Sequence, residues 1–106
     1  MYYLLTYEGV DNYADVRAPF RPAHLQHAKD AYARGELVQA GALMNPTDGS
    51  VLVFRGDSPA VAEQFAVTDP FVINGVVKRW TVREWHTVVG TDATAPTIGT
   101  LHVPDK

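Results

Sequence analysis

Cysteine is absent from the 106 residues, which removes disulfide frameworks, thiolate nucleophiles, iron-sulfur clusters and thiolate zinc sites and is compatible with a reducing cytoplasm. Positive charge is scarce and scattered. Nine Lys/Arg stand against twelve Asp/Glu for a net charge of -3, and no basic cluster could neutralise a row of phosphates, so nucleic acid is not an expected partner. There is no run of about 18 apolar residues, and Met1 to Val10 lacks the basic start, apolar stretch and small-residue cleavage site of a secretory signal. The chain reads as soluble and cytoplasmic, with no membrane partner. No glycine-rich phosphate loop and no cluster of ligating side chains occurs, so no nucleotide, flavin or metal cofactor is implied. Internal repeats, domain linkers and low-complexity tracts are also missing.

What is present is a globular composition, 46% hydrophobic and 20% charged, at a length that suits one domain. A chain this short buries only about 60 to 70% of the surface it could expose, so association with further subunits is expected.

Residues 2–8 are aromatic and branched and end at Gly9, a strand running into a turn. Residues 11–17 are polar and aperiodic. Pro19 and Pro22 then precede residues 23–34, whose alanine, leucine and lysine favour a helix that Gly35 stops. Residues 37–43 and 50–55 are short apolar runs around Asn45, Pro46, Thr47, Asp48 and Gly49, a hairpin pattern. Asp57 or Ser58 and Pro59 open a second helix that runs to about Val67 and ends at Thr68, Asp69 and Pro70. Residues 76–88 form a long last strand.

The resulting order, β-α-β-β-α-β, is an α+β, ferredoxin-like antiparallel sheet with both helices on one face. Along the first strand Tyr3, Leu5 and Tyr7 alternate with Tyr2, Leu4 and Thr6, so both faces carry apolar groups and the open face needs a cover. The simplest cover is a second copy, giving a two-fold homodimer with sheets face to face. Residues 1–90 are assigned to this domain. Residues 91–106, with only Ile98, Leu101 and Val103 to bury, form a tail that could drape over the partner.

On a helical wheel centred on His24, Ala28 lies about 40° to one side and Ala31 about 20° to the other. The imidazole therefore faces the sheet from the first turn of its helix. A neutral imidazole with a carboxylate partner is a competent general base near physiological pH. An ordinary core histidine satisfied by a backbone carbonyl remains open on helix position alone. His27 has no acidic third ligand one turn on, and His86 and His102 are isolated, so no metal site is indicated.

Asp69 closes the second helix, and in this topology that end can lie beside the start of the first, where its carboxylate could reach His24 and fix the ring tautomer. An Asp-Pro pair is equally an ordinary turn former. Arg17 and Arg21 flank the same helix start and could meet an anionic substrate group, or could be solvated surface residues. Tyr3, Tyr7, Phe71 and Trp85 could line an aromatic pocket, or belong to core and interface.

Met1-Tyr2-Tyr3-Leu4-Leu5, Arg21-Pro22-Ala23-His24-Leu25, Gly35-Glu36-Leu37 with Ala40-Gly41, Gly49-Ser50 and Thr68-Asp69-Pro70-Phe71 before a strand ending at Trp85 together resemble the YCII-related (YciI-like) domain. The pattern spans residues 1–89. It implies a ferredoxin-like fold paired into a dimeric α/β barrel, with a cleft holding a His-Asp pair proposed as catalytic; the matching positions are His24 and Asp69. The family includes a dehydrochlorinase of a chlorinated hydroxyhydroquinone, and its fold is similar to that of muconolactone isomerase.

The leading expectation is therefore a cofactor-free enzyme of lyase or isomerase type acting on a small cyclic or aromatic, anionic molecule. His24 and Asp69 are its expected catalytic residues, and Arg21, Arg17, Tyr3, Tyr7 and Phe71 its expected substrate-binding residues. A non-catalytic module that binds a metabolite or another protein is the alternative. Cofactor-independent oxygenation of an aromatic is a third possibility.

Overall fold

The computed structural model describes residues 1–90; the expected tail, residues 91–106 with His102, lies outside the described residues. β1 (Tyr2–Gly9) leads through a short helix α1 (Tyr13–Val16) and a 3-10 turn (Ala18–Phe20) into α2 (Arg21–Ala33). The hairpin β2 (Leu37–Leu43) and β3 (Gly49–Arg55) follows, then α3 (Ala60–Thr68), a second short helix α4 (Pro70–Ile73) and β4 (Val77–Trp85). The strands form one antiparallel sheet in the order β2-β3-β1-β4. This is the ferredoxin-like α+β arrangement, with the helices packed on one face.

The central strand sets the register. Tyr3, Leu5 and Tyr7 lie opposite Phe54, Leu52 and Ser50 on one side and Glu84, Val82 and Trp80 on the other. Paired residues share a face, and Leu5, Leu52 and Phe54 join Phe65, Ala62 and Ala66 of α3 and Ala31 of α2 in the core. Tyr2, Leu4 and Thr6, with Val51 and Val53, alternate to the opposite face, where no helix lies. Tyr2 is buried and the other four are half-buried, while Trp85 at the end of β4 is 46% exposed.

The structure corrects several expected boundaries. The polar stretch after β1 contains α1, whose four residues are too few to leave a helical period in the sequence. α2 begins at Arg21, two residues before the expected start, with Pro22 in its first turn, where a missing N–H costs nothing. α3 does end at Thr68, but the chain turns at Asp69 into α4. β4 stops at Trp85, short of Val88.

Two glycines of the hairpin face opposite demands. A Cβ at Gly49 would run into the backbone carbonyl of Tyr7, and backbone cannot yield as a side chain can, whereas nothing lies within 4 Å of a Cβ at Gly41. Gly49→Ala is expected to lower stability by about 1 to 3 kcal/mol. Gly41→Ala should change it by less than about 1 kcal/mol in either direction. Midpoints of urea unfolding for the two variants check the contrast.

Candidate active site

The Asp69-Pro70 pair builds the centre of the site. Proline disfavours a helical conformation in the residue before it, and Asp69 accordingly sits in extended geometry at φ -74°, ψ 128°. That is the geometry of an N-cap, and the Asp69 side chain folds forward to accept the Phe71 N–H at 3.0 Å through Oδ1. The carboxylate is fully buried. From β1 the Tyr7 hydroxyl donates to Oδ2 at 2.7 Å, and from α2 His24 Nδ1 lies 2.9 Å from both oxygens.

A carboxylate offers only acceptors, so the proton of this contact belongs on Nδ1, and a neutral His24 ring then keeps its lone pair at Nε2. The ring stacks on Phe71 with centroids 3.8 Å apart and planes 4° from parallel. Phe71 in turn meets the Tyr13 ring edge-on at 6.1 Å, and the Tyr13 hydroxyl and Ser50 Oγ share a hydrogen bond of 3.1 Å. Gly9 makes room for this stack, because a Cβ there would occupy the Tyr13 ring. His24 is thus held at one edge by a carboxylate and on one face by an aromatic ring. Its side chain retains 11% exposure.

That exposure opens on a cavity of about 500 Å³ between α2 and the edge strand β2, a size suited to a small-molecule ligand. Arg17, Arg21, His24 and Phe71 line it, so four of the sequence-expected residues meet in one place. Asp69 stands behind His24, outside the lining. Nε2 has no hydrogen-bond partner among the described residues and is not sealed from solvent.

Two expected binding residues lie elsewhere. Tyr7 is in the core behind Asp69, 1% exposed, so its role is to hold the carboxylate. Burial, followed by the Asp69 charge and hydrogen bond, pushes its hydroxyl far above the usual tyrosine range. Tyr3 is 2% exposed in the core with its hydroxyl toward Met1 Sδ and does not line the cavity. Alternation places both tyrosines on one face of the sheet, and that face is the helix side, filled by core along most of its length. Trp85 is likewise absent from the cavity wall.

Sequence reading passed over Lys29, Tyr32 and Ser50, which do line the cavity, and Tyr13. His27 hydrogen-bonds to the Phe65 carbonyl at 3.0 Å and stacks on the Phe65 ring, tying α2 to α3. Among the described residues there is no group of three metal-ligating side chains, and no helix is long and apolar enough to cross a membrane.

The sheet, the helices on one face and the cavity beside a carboxylate-bound histidine define a ferredoxin-like domain with a cleft of small-molecule size. The chain belongs to the YCII-related domain family, which matches residues 1–86. No curated protein matches it. Among solved structures it is similar to TftG of Burkholderia phenoliruptrix AC1100, a 5-chloro-2-hydroxyhydroquinone dehydrochlorinase in complex with 2,5-dihydroxybenzoquinone. The TM-score is 0.71 at 21% identity, over 82% of this chain and 95% of that one. At that identity the likeness establishes the shared fold.

The Tyr7 shift has a sign that can be measured. Its folded-state value lies above the unfolded one, so the stabilisation is fully present below the unfolded tyrosine value of about 10 and is lost as pH rises beyond it. Above about pH 10 the wild type should lose about 1.4 kcal/mol per pH unit more than Tyr7→Phe does. Chemical unfolding from pH 8 to 11.5 reads the difference in slope.

Proposed function

We propose that this protein is an enzyme of lyase or isomerase type, needing no cofactor, that moves a proton on a small cyclic or aromatic, anionic molecule, with His24 as general base and acid. The observation that supports it most is the asymmetry of the His24 ring: Nδ1 bound to a fully buried carboxylate, and Nε2 without a partner among the described residues, beside a cavity whose wall includes Arg17 and Arg21. Nε2 accepts a proton from a substrate hydroxyl or activated carbon. Asp69 balances the imidazolium that results. The electron pair released forms a carbonyl or a carbon-carbon double bond. In the lyase outcome a group on the neighbouring carbon then departs with its bonding pair, and in the isomerase outcome the imidazolium returns the proton to a different atom. Arg21, with Arg17 at the same end of the cavity, holds an oxyanion or carboxylate that the substrate already carries. Phe71 and Tyr7 position His24 and Asp69. The likeness to a dehydrochlorinase favours the lyase form.

The same reading includes a homodimer in the cytoplasm, paired through the open sheet face. Half-buried Leu4, Thr6, Val51 and Val53 there would be covered by a second copy. Light scattering at micromolar concentration should return twice the 11.6 kDa chain mass, and Val53→Glu should shift it toward monomer.

The test of the chemistry is a panel of hydroxylated, halogenated and lactone ring acids followed by NMR in deuterated water, where elimination or exchange of ring protons shows directly. His24→Ala should reduce the rate on any active compound by about 10²- to 10⁴-fold. Arg21→Gln should act mainly on KM. A wild-type rate that His24→Ala leaves unchanged would exclude His24 as the proton carrier.

A further inference from the structure

The electrostatics of the cavity are opposite to those of the chain. The protein carries net charge -3, yet Arg17, Arg21 and Lys29 all line the cavity, and no Asp or Glu does among the described residues. Arg34, Lys78 and Arg79 make ion pairs with Glu36 or Glu8. Arg21 and Lys29 have no ion-pair partner among the described residues, and Arg17 is held over the face of Tyr13 at 5.4 Å.

These cations form two groups. Arg17 and Arg21 stand at the start of α2, and Lys29 lies eight residues on, about 12 Å along the helix axis at 1.5 Å per residue. The helix therefore carries cationic residues toward both ends of the cavity. His24 lies between them, nearer Arg21. The wall between the ends is apolar, formed by Leu25 and Ala28 of α2 facing Ala40 and Leu52 of the sheet. Ala40 and Ala42 lie opposite Leu52 and Ser50, on the helix side of β2, and these short side chains leave the space open.

Resting on the reading above for the identity of the site, we infer that its ligand is a flat dianion, with one anionic group held at Arg17 and Arg21, a ring lying along the apolar strip, and a second anionic group bound by Lys29. Lys29 is thereby a specificity residue that separates dianions from monoanions. The alanines at 40 and 42 admit the ring.

The probes are 1,4-benzenedicarboxylate and benzoate, titrated calorimetrically into the full-length protein at physiological salt. The wild type is expected to bind the dicarboxylate about tenfold or more tighter, the worth of one additional charged hydrogen bond. In Lys29→Gln that preference should fall to within about threefold while benzoate affinity changes by less than about twofold, and Arg21→Gln should weaken both ligands. Lys29 is exposed, so its replacement does not threaten the fold. Equal affinity for the two probes, equal weakening of both by Lys29→Gln, or no binding of either at millimolar concentration overturns the inference. Calorimetry requires no turnover. A failed dianion preference therefore leaves the His24 rate test standing, and a turnover that survives His24→Ala leaves the dianion preference standing.

Discussion

The Asp69 carboxylate is the constraint on which the arrangement depends. An ionised carboxylate withdrawn from water costs several kcal/mol unless its lone pairs are satisfied, and here the donors come from three different elements: Tyr7 of β1, the Phe71 amide of α4 and His24 of α2. None of the three is a sequence neighbour that would be nearby without the fold, apart from the amide. Meeting the demands of one buried charge therefore fixes how the first turn of α2 sits over the sheet. It also fixes where the imidazole edge emerges.

Once that end of α2 is pinned, the helix has two different relations to the sheet along its length. His24 and Ala31 are buried beneath it, while Leu25 and Tyr32, which the wheel places at the flanks of the same stripe, are 37% and 67% exposed. The gap arises from missing volume on the facing strand. Where Leu37 contributes to the core, β2 then offers Ala40 and Ala42, and neither can reach the helix. A groove results with one tightly packed wall, around Phe71 and Leu52, and one loose edge. Packing at the first wall holds the His24 imidazole in a single orientation, and the second leaves the cavity open.

How much of this was legible in the sequence depends on the kind of information each residue carries. His24 could be placed because its helical phase is a local property, and Asp69 because an Asp-Pro pair marks a helix end and the topology brings that end near the start of α2. Tyr3 and Tyr7 show the limit of alternation. Period two gives the side of the sheet but not the depth, and both rings lie under covered core, with Tyr7 behind the carboxylate. α1 was missed because four residues hold barely one helical turn, and with it went Tyr13 and its bond to Ser50. Lys29 and Tyr32 look in sequence like an ordinary solvated helix face. Only the alanines opposite, which signal nothing by themselves, turn that face into a cavity wall.

The fold shared with a dehydrochlorinase at 21% identity carries no activity by itself, since one fold hosts many. The buried pair bears on the question more directly. As a stabilising device a buried carboxylate-imidazole contact is inefficient, because well-packed apolar side chains of the same volume often hold a core equally well or better. The cost is easier to understand if the carboxylate serves the ring's second nitrogen. A histidine that must accept a proton from a cavity becomes a cation in a site already lined by arginine and lysine, where positive charge is least welcome. A fixed negative charge directly behind the ring offsets that repulsion at the moment the proton arrives. On the proposed reading, the basic wall that would attract an anion and the acidic residue hidden behind the base are two parts of one electrostatic solution.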